Sequence, residues 1–242
     1  MFEKLLVGPA SEPVTVEEQC TFSHIDVPGL DDGNSPPGPN AERVLIESYI
    51  TASREQIEQL TKRAMINQRW LQTFDYFPGA EDRFLLGYLD RVVPALLYYP
   101  NTSYRFPQED SIDLLRRPVQ PEIEEDNQSP PSGDLVVKYL DLTGAEQVMD
   151  PSLYMVYADR ITLKPDQLWP ISAILRDAVR IEYLCGYGTT ADAVPSQLKL
   201  AVKWLAGHWY ENRVPVGTEA TKEVIWTLSS ILGSFKLFRV PR

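Results

Sequence analysis

The chain is poor in the side chains that most often carry chemistry. Its 242 residues include two histidines, His24 and His208, and two cysteines, Cys20 and Cys185. Any histidine-based triad would have to draw on one of those two imidazoles. Two cysteines so far apart make no disulfide framework, and they fit synthesis in a reducing compartment. The nucleotide loop GxxxxGK[ST], a Gly-rich dinucleotide loop, HExxH and CxxC are all missing. No run of about 18 apolar residues occurs, so no membrane-spanning helix is expected. The opening MFEKLLVGPASEP holds only a short apolar patch, with Glu3 beside Lys4, and makes a poor signal peptide. Basic residues are also in deficit: 23 Lys and Arg face 34 Asp and Glu, for a net charge of −11. Gripping nucleic acid needs a dense basic face, so the balance argues against that class. It is compatible with an acidic wall past which DNA moves without sticking.

What the chain does have is proline. Its 20 prolines cluster in Val27–Asn40, Pro94–Pro107 and Arg117–Asp134. Each cluster reads as an extended loop able to order on contact with a partner. Hydrophobic content of 43% leaves enough apolar material for a core of one or two domains.

The apolar spacing predicts a helix over Ala41–Ile66 with Asn40 as its N-cap and a line of Val44, Leu45, Tyr49, Ile50, Ile57, Leu60, Ala64 and Met65. The pairs Arg43/Glu47, Arg54/Glu58 and Glu58/Lys62 are then expected on the opposite, exposed face, which is either solvated or a subunit contact. Strands are predicted at Arg69–Asp75, Leu135–Leu140, around Gln147 and Val148, and at Leu153–Tyr157, Arg160–Leu163 and Val179–Cys185. Arg83–Val93 reads as either helix or strand. Gly186-Tyr187-Gly188 then breaks the last strand, and Pro195 starts a helix carrying Leu198, Ala201, Val202, Leu205, Ala206 and Trp209 at helical spacing. A last helix is expected over Glu219–Leu232, closed by Gly233 and followed by the apolar, basic ending Phe235–Arg242.

The fold class is therefore α+β: a helical bundle of one N-terminal and two C-terminal helices, an inserted small antiparallel β unit, and long Pro-rich loops. The expected parts are an extended arm with an acidic loop over 1–40, a helical body of 41–67 plus 194–236, a β-rich insertion over 68–188, and a tail over 237–242. The Gly-Tyr-Gly joint is where the insertion returns to the helical body.

No catalytic, cofactor-binding or metal-ligating residue is assigned, and no cofactor is expected. Cys185 with His208 as base is the one conceivable nucleophilic pair. However, Cys185 ends an apolar strand, where a small buried thiol is usual. His208 sits on a helix between Gly207 and Trp209 and reads as structural. Asp31 and Asp32 lie in a Gly- and Pro-rich loop and read as solvated acids. So do Glu122, Glu124, Glu125 and Asp126, with a weak Ca²⁺ site as the sharper alternative. Trp204, Trp209 and Tyr210 read as core or oligomer-contact aromatics rather than a stacking platform for a ligand.

A series of segments, in order, resembles the head–tail connector or adaptor proteins of tailed double-stranded DNA phages. Val14-Thr15-Val16-Glu17-Glu18 is similar to the opening of that family. Ala52–Thr61 (ASREQIEQLT) resembles its first helix, and Gln68–Pro78 the strand after it. Arg117-Pro118-Val119 and Val137–Asp141 with Gly144 resemble its central hairpin. Tyr154–Asp159, Trp169-Pro170 and Val179–Gly188 resemble its later strands, which end in GYG. Val194-Pro195 and the helix to Trp209-Tyr210-Glu211-Asn212-Arg213 resemble its most specific part. Departures lie in Gly79–Ile112, which is longer than the usual link, in Gln120–Asp134, which interrupts the usual approach to the hairpin, and in an enlarged loop Val27–Asn40.

The resemblance implies a structural virion protein and not an enzyme. The implied subunit is one of a ring, commonly of 12 copies, beneath the portal. It would join capsid to tail around a channel that DNA crosses without sequence-specific binding. The implied partners are further copies, the portal protein, and a tail, head-closure or tail-terminator protein, with no membrane. The implied location is the virion neck, after synthesis in the host bacterial cytoplasm. In that setting Ala41–Ile66 and Pro195–Glu211 would line or support the ring wall, and Phe235–Arg242 would reach a neighbour or the portal. Other readings are a different neck, tail-completion or decoration protein, a Cys-dependent hydrolase, or a ligand-binding module using the Trp/Tyr cluster.

Overall fold

Alternation along Val179–Cys185 becomes the middle strand of a sheet. Val179, Ile181, Tyr183 and Cys185 are wholly buried, while Arg180, Glu182 and Leu184 are half-buried. The computed structural model describes residues 2–25, 41–77, 111–119, 135–157, 159–173, 175–212 and 227–235. The chain is mixed α+β and divides into two units, Met1–Val7 with Arg69–Leu184, and Gly8–Gln68 with Cys185–Arg242.

The first unit is built on strands β1 (Phe2–Val7), β2 (Gln68–Phe74), β3 (Ser111–Asp113), β4 (Leu135–Leu140), β5 (Glu146–Val148), β6 (Tyr154–Val156), β7 (Arg160–Leu163) and β8 (Val179–Cys185). One sheet runs β1-β2-β8-β4-β5 and the other β3-β7-β6. The pairs β1/β2, β4/β5, β4/β8, β3/β7 and β6/β7 are antiparallel.

A buried polar network joins the two sheets. The Gln72 amide donates to the Asp113 carbonyl at 3.0 Å and accepts from Leu115 N–H at 3.0 Å. The Tyr183 hydroxyl accepts from Arg116 N–H at 3.1 Å. The Arg116 guanidinium forks onto Glu3 at 3.1 and 3.3 Å and lies 4.2 Å from the Trp70 ring centroid, so β1 is tied in as well. Phe77 stacks on Trp169 at 5.1 Å and meets Tyr139 edge-on at 5.6 Å.

Helix α1 (Val16–Ser23), α2 (Ala41–Thr61) and α3 (Ser196–Glu211) form the second unit with a helical segment at 227–232. Ile46, Ile50 and Ile57 of α2 and Leu198, Ala201, Val202 and Leu205 of α3 share one core with Val16, Cys20, Leu228 and Leu232. Thr15 caps α1 by accepting from Glu18 N–H at 3.1 Å. His24, at φ 50°, closes it in the left-handed conformation.

Four sequence expectations need correction. Residues 1–40 do not form one extended arm, because β1 pairs with β2 and Thr15 nucleates α1. Helix α2 ends at Thr61 rather than Ile66, because Lys62 turns left-handed at φ 55°. Its buried stripe is also rotated. Arg54 and Glu58 are 5% and 4% exposed, while Val44 and Leu60 are exposed. Proline at 195 is the residue before the helix, not its first turn. Strand β3 was not anticipated. The N-cap at Asn40, the loops 27–40, 94–107 and 120–134, the segment 83–93, most of the last helix and the tail lie outside the described residues.

Candidate functional site

The place where the β8 strand ends is built from two chain segments side by side. Tyr187 N–H donates to the Met65 carbonyl at 3.1 Å, and Asn67 N–H donates to the Gly188 carbonyl at 2.9 Å. These two bonds lay Gly186–Gly188 against Met65–Asn67. The approach is so close that a Cβ on Gly186 would sit 2.6 Å from Asn67 N and 2.7 Å from both Asn67 Cα and the Ile66 carbonyl carbon. Gly186 also has φ +144°, a conformation L side chains rarely adopt. The glycine is thus required twice, by the backbone angle and by the neighbouring backbone.

Beneath the joint lies an ion network that the helical pattern placed on the surface. Glu58 accepts from Met65 N–H and Gln68 Nε2, each at 2.8 Å, and from an Arg54 terminal nitrogen at 2.9 Å. Arg54 Nε donates to Glu12 at 2.9 Å, and the Thr51 hydroxyl donates to the same carboxylate at 3.0 Å. Burial pushes the Glu58 carboxyl above its ordinary range, against the pull of Met65 N–H and Arg54. Burial also opposes the charge on Arg54, but Glu58 and Glu12 outweigh it and hold the guanidinium more firmly protonated. The network therefore pins the Met65–Asn67 side of the joint to α2.

Cys185 is wholly buried, and neither it nor the buried Cys20 is in a disulfide. His208 serves its own helix end: its ring stacks on Trp204 at 6.2 Å, and Nδ1 lies 3.2 Å from Asn212 Nδ2. Its neighbours across the surface are instead those of a groove of about 260 Å³ lined by Phe22, Ser23, His24, Trp204, Gly207, His208 and Glu211. Cys185 does not line it. The groove gathers both histidines of the chain, which periodicity within single helices does not foretell, since it arises from α1 seating against Gly207 of α3. A Cβ there would lie 2.8 Å from Ser23 Oγ.

Trp209 and Tyr210 pack on the helical core, and the Tyr210 hydroxyl donates to the Glu42 carboxylate. Asp31, Asp32 and Glu122–Asp126 lie outside the described residues. Among the described residues no group of three or more His, Cys, Asp or Glu side chains is placed to hold a metal ion. Among them, too, no helix is long and apolar enough to cross a membrane.

No family model matches the sequence, and no curated protein matches it. Solved structures do match over the full length. A chain in the neck of an empty gene transfer agent particle computed with C6 symmetry is 18% identical at a TM-score of 0.67. A chain in the virion of the native gene transfer agent particle is 17% identical at 0.65, and one in the native particle's neck computed with C12 symmetry is 17% identical at 0.60. In each case 100% of this chain and 98% of the other are covered. At such identity the likeness establishes a shared fold across both units.

Proposed function

We propose that this chain is a structural subunit of a virion neck, a head–tail connector of the adaptor type, and not an enzyme. The single observation that carries the reading is the full-length likeness to chains in gene transfer agent particles, two of them described as necks. It agrees with the order of segments that resembles phage connectors. The subunit forms a closed ring, and a matching neck computed with C12 symmetry favours 12 copies. The ring sits beneath the portal, joins capsid to tail, and leaves a channel for DNA. Its other partners are the portal protein and a tail or head-closure protein.

Cyclic closure makes every side contact heterologous, so one face of a subunit meets a different face of the next. The net charge of −11 suits a wall that DNA must cross without being held. The stacking of His208 on Trp204 and the burial of both cysteines support a scaffold rather than a reaction centre in the helical unit.

Electron cryo-microscopy of assembled particles tests the reading. The chain should occupy a ring at the neck, in contact with the portal. Density for it only on the capsid surface or within the tail tube would overturn the assignment.

A further inference from the structure

One guanidinium in the helical unit touches two pieces of chain that are remote from it in sequence. Arg63 follows the left-handed turn at Lys62 that ends α2. Its Nε donates to the Phe235 carbonyl at 3.2 Å, across 172 positions. A terminal nitrogen donates to the Tyr187 hydroxyl at 3.2 Å, across 124 positions. The same guanidinium lies 5.7 Å from the centroid of the Phe235 ring.

Phe235 is itself well seated. Its N–H donates to the Leu232 carbonyl at 3.0 Å, its ring packs on the helical core, and the neighbouring Ser234 hydroxyl donates to Gln197 of α3 at 3.3 Å. After it the sequence runs Lys236-Leu-Phe-Arg-Val-Pro-Arg242, with three cations and no acid in a chain that is otherwise strongly acidic.

We propose that Arg63 is a positioning clamp. It fixes Phe235, the residue directly before this basic C-terminal sequence, and it couples Phe235 to the Gly186–Gly188 joint through Tyr187. Arginine fits the task because one planar fork can serve a carbonyl and a phenol at once while its face rests near an aromatic ring. Lysine can hold the charge near the ring but cannot span both acceptors. The clamp operates within the isolated chain. Its use in assembly rests on the neck reading above.

The test is hydrogen exchange on the full purified chain for the wild type, Arg63→Ala, Arg63→Lys, Tyr187→Phe and the Arg63→Ala/Tyr187→Phe double variant. Losing both bonds to the cation should raise exchange of the 227–235 amides at least tenfold in Arg63→Ala, with α3 amides unchanged. Arg63→Lys should restore part of that protection. Tyr187→Phe should show a smaller rise, and the double variant should be no worse than Arg63→Ala, because the Tyr187 arm works only through Arg63.

Unchanged exchange in Arg63→Ala overturns the clamp. So does a strictly additive double variant, or a loss of protection that spreads equally over α3. Neck incorporation of Arg63→Ala, scored separately, bears on assembly. A chain that never enters necks even as wild type refutes the functional reading and leaves the exchange result standing.

Discussion

Replacing Gly186 by alanine isolates the joint's two demands on glycine. Holding a side chain at φ +144° costs on the order of 1–3 kcal/mol. The new Cβ must also move off three backbone atoms of Ile66 and Asn67 that it would meet at 2.6–2.7 Å. No rotamer relieves that overlap, so the segments must part, at the expense of the Tyr187–Met65 or Asn67–Gly188 bond. A buried backbone group left without its partner costs about 1–3 kcal/mol. The total is about 2–6 kcal/mol, a large share of the 5–15 kcal/mol typical of a folded domain. Two other glycines calibrate the result. Gly144 has φ +84° but open space around its missing Cβ, so Gly144→Ala should show the backbone term alone. Gly8 has open space and no positive φ, so Gly8→Ala should be neutral within about 0.5 kcal/mol. Urea unfolding of the three variants, with linear extrapolation, gives the comparison. A loss in Gly186→Ala no larger than that in Gly144→Ala would refute a demand for glycine from the Ile66–Asn67 backbone.

Arg54→Met removes one partner of a buried pair and should cost about 3–5 kcal/mol near neutral pH. Burial already raises the Glu58 pKa, so the orphaned carboxyl favours its protonated form. The variant's stability is thus fullest below the unfolded pKa and falls as pH rises through the folded one; a deficit that shrank with rising pH would count against this. Tyr154 is 2% exposed, and its hydroxyl has no hydrogen-bond partner among the described residues. Tyr154→Phe should therefore leave stability unchanged or raise it by up to about 1 kcal/mol. Burial pushes the phenol up to about 12, so stability present below pH 10 should fade as pH climbs towards 12, and the Phe variant should lose that dependence in alkaline melts. Asp141 accepts from the Thr143 hydroxyl and the Ala145 and Thr143 N–H groups, and these bonds pull its carboxyl down to about 2. The β4–β5 turn should hold above pH 3.8 and loosen as pH falls through 2, read as faster exchange of the Thr143 and Ala145 amides.

Strand β8, the joint and the buried stripe of α3 were legible in the sequence because each is local: alternation, a glycine pair, and helical spacing after Pro195. What escaped was decided at long range. Phe2–Val7 carries no alternating pattern and is mostly exposed, and it becomes a strand only because β2 lies beside it. The α1 signal was there in Thr15 and Glu18, three residues apart, but its apolar stripe is too short to show periodicity. Charge at Arg54 and Glu58 read as surface. Nothing in a helical wheel announces that Met65 N–H, Gln68 and Glu12 will satisfy those charges inside. The groove that gathers His24 and His208 likewise depends on helix packing.

Burial also separates the two helices proposed for the ring wall. Helix α3 has Leu198, Ala201, Val202, Leu205 and Ala206 in the core, with Trp204, Trp209 and Tyr210 half-covered, so its exposed positions reduce to Ser196, Gln197, Leu200 and Glu211. Helix α2 keeps a continuous outer strip of Val44, Glu47, Ser48, Ala52, Glu55, Gln56, Gln59 and Leu60. If a helix of this unit meets the next subunit, α2 is the one with a face to offer. Tryptophan at Ala52, in the middle of that strip, should leave monomer stability within about 0.5 kcal/mol while blocking close approach of another subunit. Tryptophan at Ala201, which is 0% exposed, should instead overpack the core and lower the melting temperature. Particles grown with each variant, scored for neck occupancy beside melting curves of the purified chains, distinguish the two effects. Normal occupancy with Ala52→Trp would remove α2 from the subunit contact.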